Sequence, residues 1–327
     1  MEYFQELGQQ VVSLATYPVD PNKRIFWGYL LSAVFLAFIV FFISVKKKQP
    51  QQSFLKFLLP HDVWWNASAR LDYKMFIVNK IAKAIFIAPF LLTMPMVALS
   101  IIHCLEFLFG TTHPIILDPV VITIIFTLAL FICDDLTRFL LHYMLHKIPW
   151  LWCFHKVHHS AEVLTPMTIY RSHPVENLLY AWRMTMTQGF VVGVSYYLFG
   201  TQIQMLDIIG ANMFTFAFNI LGSNLRHSHI WLRFGPTIEK WFISPAQHQV
   251  HHSLLPKHFD KNFGTFLAVW DRWAGSLVTA EKERNFDFGI SKKDFQSHQS
   301  LVDIYYQPFK EVFYRFDLVK EKLKSIG

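Results

Sequence analysis

Uncharged stretches of about twenty residues alternate along this chain with short segments dense in histidine, and that alternation predicts most of its architecture. Ile25 to Val45 contains no charged residue, which is about the length a helix needs to cross a bilayer. Ala84 to Ile102 is a second such run, broken by Pro89 and Pro95; kinks are expected there, with neighbours re-satisfying the freed carbonyls. Asp118-Pro119 reads as a helix N-cap and first helical position. An apolar run follows to Cys133, and then Asp134, Arg138, His142 and His146 appear at intervals of four, so one helix carries its polar stripe out of the bilayer. Residues 184–200 and 208–223 are shorter uncharged runs around Gly200-Thr201-Gln202, which suits a helical hairpin. From Arg226 onward polarity is mixed, and Ser244-Pro245 marks a helix start just ahead of His248.

The fold expected from this pattern is all-α: a polytopic integral-membrane helical bundle with a cytoplasmic histidine-rich metal-binding cap. Lys46, Lys47 and Lys48 follow the first span and belong in the cytoplasm by the positive-inside rule. Counting five spans from there brings every histidine cluster to the same face. Composition agrees with a membrane: 53% of residues are hydrophobic and only 16% charged, against about 25% charged in soluble proteins. The net charge of +7 is not gathered into one polar basic tract, which argues against nucleic acid as a partner and for a membrane surface. The three cysteines, Cys104, Cys133 and Cys153, form no CxxC and read as buried thiols.

The chemistry lies in the histidines, of which there are 16. HYMLH at 142–146 sets His142 and His146 one turn apart, and HKVHH at 155–159 and HQVHH at 248–252 are two copies of His-x-x-His-His, a spacing that puts three imidazoles on one face of a helical turn. The eight core residues are His142, His146, His155, His158, His159, His248, His251 and His252. Eight exceeds what one ion needs with a position left open, so two metals are the natural count. A structural zinc site closes with four ligands and favours Cys; here there are more ligands and no nearby cysteine pair. His173, His227 and His229 are additional candidate ligands, His227 ahead of His229, while His61, His103, His113, His258 and His298 read as surface or packing residues. Ligating rings normally donate their second N–H to a carboxylate or carbonyl; Asp134, Asp135 and Glu176 are candidates, Asp135 first. Position 143 is Tyr143, so HExxH is absent, and there is no GxSxG elbow, GxGxxG loop or P-loop.

HxxxH followed by two HxxHH boxes, with RSHPVE between them and NFGTFLAVWDRWAGS at 262–276, resembles the fatty acid hydroxylase superfamily, also called the sterol desaturase family. HKVHHSAEVLTP and HQVHHS look closest to bacterial sterol-desaturase-like proteins and to the alkylglycerol monooxygenase branch. The resemblance implies three regions: an N-terminal membrane region with two spans (1–119), a hydroxylase-like domain (120–280) and a cytoplasmic C-terminal tail (281–327). It implies a membrane-bound non-haem di-iron enzyme that hydroxylates a C–H position of a fatty acyl, alkyl or sterol lipid with O2 and two external electrons. The ligands fall on the eight core histidines and His227; a second upstream histidine of some members is Trp231 here. The alternatives are a lipid desaturase using the same site, or a non-catalytic membrane protein that binds or transports metal. Neither an HPGG signature of a fused cytochrome b5 domain nor a cysteine set for an iron–sulfur cluster is present, so a separate electron donor, a ferredoxin or cytochrome b5-type protein, is expected. Arg138 and Arg171 are candidates for meeting a phosphate or carboxylate head group. The expected location is the bacterial inner membrane, or the endoplasmic reticulum membrane in a eukaryote, with the histidine boxes cytoplasmic.

Overall fold

Long helices carry the histidine segments at one of their ends. The structure is a computed structural model and describes residues 16–46, 48–82, 90, 92–111, 113–208, 211–291, 298 and 300–324. Helix α1 (Trp27–Val40) is prolonged by a π-helical turn over Phe41–Val45. Its buried residues Tyr29, Ala33, Ala37 and Phe41 recur every four positions, forming one stripe, against which Leu225 and Ile230 pack. Off that stripe Leu31 and Phe35 are 59% and 63% exposed, the opposite of what a soluble helix does with such residues.

Helix α2 (Ala67–Ala82) buries Leu71 and Met75 against Val157. Helix α3 (Met94–Phe109) starts at a Thr93 cap. Helix α4 (Pro119–Lys147) has 29 residues, about 43 Å, and begins as its sequence predicts, with the Asp118 carboxylate accepting the Val120 N–H at 2.8 Å. Pro149 stops it and starts α5 (Pro149–His159) at once. Helix α6 (Pro174–Phe199) returns along α4: Arg183 bonds the Asp134 carboxylate at 2.8 Å and the Thr187 and Thr137 hydroxyls meet at 3.0 Å. On its other side α6 lies parallel to α3, with Gly189 beside Val97 and Gly193 beside Ala98 and Ile101. This Gly-x-x-x-Gly pair brings two backbones close, as small residues do in membrane helices.

The helical hairpin expected over 184–200 and 208–223 is not formed. Residues 184–199 are the distal half of α6, and the chain then passes through an antiparallel pair of two-residue strands, β1 (Asp207–Ile208) and β2 (Ala211–Asn212), into α7 (Met213–Ile220). With 8 residues, α7 is about 12 Å long, short of the roughly 30 Å of a hydrocarbon core. Asn212 caps its start and Gly222, at φ +95°, turns the chain just after it; these caps are what the uncharged run concealed. Trp27–Val45 and Pro119–Lys147 are long and apolar enough to cross a membrane. The expected span 84–102 lies partly outside the described residues, and α3 takes only its second half. Lys48 bonds the Glu283 carboxylate, so this end of the basic run lies beside the histidine-bearing cap.

The cap is completed by α8 (Pro245–His251), α9 (Val269–Ala274) and α10 (Leu301–Lys324). Helix α10 packs on α5 through Phe154 against Phe309 and Trp150 stacked on Phe316. A Cβ added at Gly193 would stand 2.8 Å from the Ala98 carbonyl oxygen, so Gly193→Leu forces α3 and α6 apart. It should cost about 1–3 kcal/mol and lower the unfolding temperature in detergent, whereas Met186→Leu on the exposed face of α6 should leave it unchanged.

Candidate metal centre

Three short helical segments aim the histidines. The end of α4 supplies His142 and His146, α5 supplies His155, His158 and His159, and α8 with its C-cap supplies His248, His251 and His252. Helix α8 starts where Ser244-Pro245 predicts: the Ser244 hydroxyl accepts the Gln247 N–H at 3.1 Å and the Gln247 side chain accepts the Ser244 N–H at 2.9 Å, a capping box. His227 arrives from the loop after Gly222.

These nine side chains sort into two groups, in each of which the candidate ligand atoms lie within 4.8 Å of one another. One holds His142, His146, His155, His159 and His251; the other holds His158, His227, His248 and His252. The sorting crosses the boxes. The i, i+4 pair of the second box (His155, His159) joins the first group while its i+3 member (His158) joins the other, and the third box does the reverse. The groups touch where the rings of His159 and His252 stack with centroids 4.5 Å apart.

The Nε2 atoms of His146, His155, His159, His251 and His252 are buried without a hydrogen-bond partner. Each such nitrogen costs about 1–3 kcal/mol if left so, and an ion is what their convergence fits. The other ring nitrogens are held from outside. His142 Nδ1 donates to the Phe263 carbonyl at 2.8 Å, His251 Nδ1 to the Lys261 carbonyl at 2.7 Å and His158 Nδ1 to the Arg171 carbonyl at 3.2 Å. His155 Nδ1 meets the Glu176 carboxylate at 3.0 Å. These contacts set ring orientation and leave Nε2 facing inward. His248 differs: Arg226 donates to its Nδ1 at 2.9 Å, which places the hydrogen of a neutral ring on Nε2, 2.9 Å from His227 Nε2, so ligation there requires that hydrogen to be displaced. Burial, reinforced by the neighbouring imidazoles and arginines, keeps the rings neutral. It pulls His158 down to about 3 and holds His155, His159, His227, His248, His251 and His252 well below the ordinary imidazole value, which is the ligand form. Burial also pushes the Glu176 carboxyl well above the usual carboxylate range.

The structure leaves other candidates outside both groups. His173 caps α6, its Nδ1 accepting the Val175 N–H at 3.1 Å and its Nε2 donating to the Tyr305 carbonyl at 3.2 Å. His229 donates to the Phe57 carbonyl at 2.7 Å. Neither Asp134 nor Asp135 bonds a histidine; Glu176 supplies the carboxylate instead. Asp134 pairs with Arg138 and Arg183. Asp135 accepts the Phe266 and Leu267 N–H groups and the Trp270 indole N–H at 2.9–3.0 Å, and so supports the turn whose Phe263 carbonyl orients His142. Arg171 is 1% exposed and donates to Asp72 at 2.8 Å and to Ser68 and Ser160, which ties α2 to the segment after α5. Residues missed in the sequence belong to this support: Asp271 accepts the Phe263 and Gly264 N–H groups, and Asn262, at φ 56°, bonds the Gln247 and Val278 carbonyls. Their signal was the 262–276 segment, legible as a motif and silent about roles.

A cavity of about 430 Å³ opens beside the centre, its wall including His142, His155, His158, His227 and His248.

Residues 127–276 match the fatty acid hydroxylase family model. The chain is 26% identical over 197 residues to alkylglycerol monooxygenase of Danio rerio, covering 60% of this chain and 40% of the relative. It is 28% identical over 155 residues to ornithine lipid hydroxylase of Rhizobium tropici (47% and 42% covered) and 27% identical over 170 residues to Delta(7)-sterol 5(6)-desaturase of Eremothecium gossypii (52% and 42% covered). The chain thus spans less than half the length of these relatives, and no solved structure matches it. The matched segment contains all nine clustered histidines and the turns that orient them, so the part of the chain that is similar to the fatty acid hydroxylase family is the part that builds this centre.

Proposed function

We propose that this protein is a membrane-bound non-haem di-iron oxygenase that hydroxylates a C–H position of a lipid, using O2 and two electrons from a separate donor. The observation that carries the reading is the pair of adjoining histidine groups, five and four residues, with inward nitrogens left unpartnered beside a cavity of about 430 Å³. His142, His146, His155, His159 and His251 would hold one ion, and His158, His227, His252 and, after losing its Nε2 proton, His248 the other. Bound iron supplies O2 activation: one oxygen atom enters the C–H bond and the other leaves as water, consuming two electrons and two protons. The chain's own residues do the rest. Glu176 and the carbonyls of Phe263, Lys261 and Arg171 fix the ring orientations, and Phe76, Tyr170 and Met184 give the cavity apolar wall for a hydrocarbon chain. Two apolar helices and the relatives' lipid substrates, as their names state them, support placement in a membrane, with the histidines on its cytoplasmic face beside Lys46 and Lys48. Desaturation at the same site is the second reading, favoured by the sterol desaturase relative; both reactions begin by removing hydrogen from a C–H bond, and substrate placement decides between them.

Purified protein should contain close to two iron ions, and His251→Ala, which removes an inward nitrogen, should lose iron and activity together. His298→Ala should lose neither. Metal analysis that found one tightly held zinc, unchanged in the His251 variant, would return a structural site to first place.

Supplied with lipid extract, ¹⁸O2 and a ferredoxin–reductase system, the enzyme should add one ¹⁸O atom to a lipid, read by mass spectrometry; a double bond gained without label marks the desaturase. Raising salt should slow electron delivery if an acidic donor docks on the basic cap. Product formed under argon, or with no reductant, rules the mechanism out.

A further inference from the structure

The cavity beside the histidines is lined by five cationic side chains, Arg24, Lys80, Arg138, Arg183 and Arg226, and one carboxylate, Glu176. That carboxylate is committed to His155. Arg138 and Arg183 share Asp134, at 2.7 and 2.8 Å. Among the described residues neither Arg24 nor Arg226 has a carboxylate at ion-pair distance. Arg226 donates to the Thr265 and Gly264 carbonyls and to His248, and the Arg24 guanidinium lies 5.5 Å from the Phe218 ring centroid. Arg226 approaches the same ring at 5.5 Å, so two like charges share one aromatic side chain in a partly enclosed space, an arrangement that is costly without an anion between or beside them. Burial and the charge of Arg138 hold Arg24 down at about 10. Arg226 also walls a second, largely apolar cavity of about 280 Å³, with Leu221, Phe234, Ile238 and Phe242 among its residues. A cationic chamber and a greasy one therefore meet at a single arginine.

We propose that this chamber takes the anionic head group, phosphate or carboxylate, of an amphiphilic lipid, held by Arg24 and Arg226 with Arg138 beside them, while apolar wall receives the chain. The assignment rests on the oxygenase reading and names its substrate class. Arg171 is held by Asp72, Ser68 and Ser160 and is not among the residues that line this cavity, whereas Arg24 and Arg226, distant in sequence, are. Guanidinium suits the task because its fork matches phosphate and carboxylate oxygens in a bidentate way.

The test is direct binding to the intact, metal-loaded chain in neutral detergent, measured with four probes: oleoyl lysophosphatidate, oleate, monoolein and inorganic phosphate. Lysophosphatidate and oleate should bind about tenfold or more tighter than monoolein, and Arg24→Gln should weaken both by about tenfold, the effect of one charge-assisted hydrogen bond, while leaving monoolein unaffected. Arg24→Lys should recover part of the loss. Equal binding of monoolein and lysophosphatidate in the unaltered protein overturns the head-group assignment without a variant having to fold. Inorganic phosphate binding as tightly as lysophosphatidate makes this a site for a soluble anion and overturns the lipid assignment. Binding needs no turnover, so these failures are separate from failure of the ¹⁸O2 experiment.

Discussion

Nine neutral imidazoles drawn into two touching groups leave five inward nitrogens buried with nothing to bond. At roughly 1–3 kcal/mol each, a fold has to over-determine such a constellation or lose it. The surrounding structure does this through the outer ring nitrogens. Carbonyls of Phe263, Lys261 and Arg171 and the Glu176 carboxylate each take one. Those carbonyls are themselves held, since Asp271 and Asp135 grip both ends of the turn that begins at Phe263, and Arg171 is locked by Asp72.

The buried Arg171–Asp72 pair illustrates how charge is spent here. Its members are 1% and 0% exposed, and removing one would strand the other at a cost of about 3–5 kcal/mol. Its return is positional, because the same residue whose guanidinium joins α2 to Ser160 presents its carbonyl to His158. Arg24 and Arg226 line the cavity beside the histidines, and among the described residues neither has a carboxylate at ion-pair distance. A guanidinium paired with a buried carboxylate acts as scaffold, whereas those on the cavity wall are the ones proposed above to meet a head group, although the residue type is the same.

The bundle above the cap meets a different constraint. Apolar side chains face outward on α1 and α4; in a bilayer, burial of apolar area would contribute little to holding such helices together, and close packing would have to serve. Gly189 and Gly193 let α6 approach the backbone of α3, and the Thr187, Thr137, Arg183 and Asp134 contacts register α6 against α4. Helix α6 then delivers Glu176 to His155 at its buried end, so bundle packing and ring orientation are parts of one lever.

Local chemistry determined what the sequence by itself could carry. The Asp118-Pro119 and Ser244-Pro245 helix starts, the four-residue stripe from Asp134 to His146 and the histidine boxes depend on neighbours within a turn or two, and the structure has each of those elements. The run at 208–223 misled because hydropathy counts apolar residues and is blind to caps, and Asn212 and Gly222 cut it into a strand pair and a two-turn helix. The assignment of histidines to two groups, the choice of Glu176 over Asp135, and the placing of Arg24 and Arg226 rather than Arg171 on the cavity wall were decided by tertiary structure alone. Each is a matter of which distant segment occupies the space beside a side chain, and residues 24, 138, 176 and 226 have no periodicity that links them.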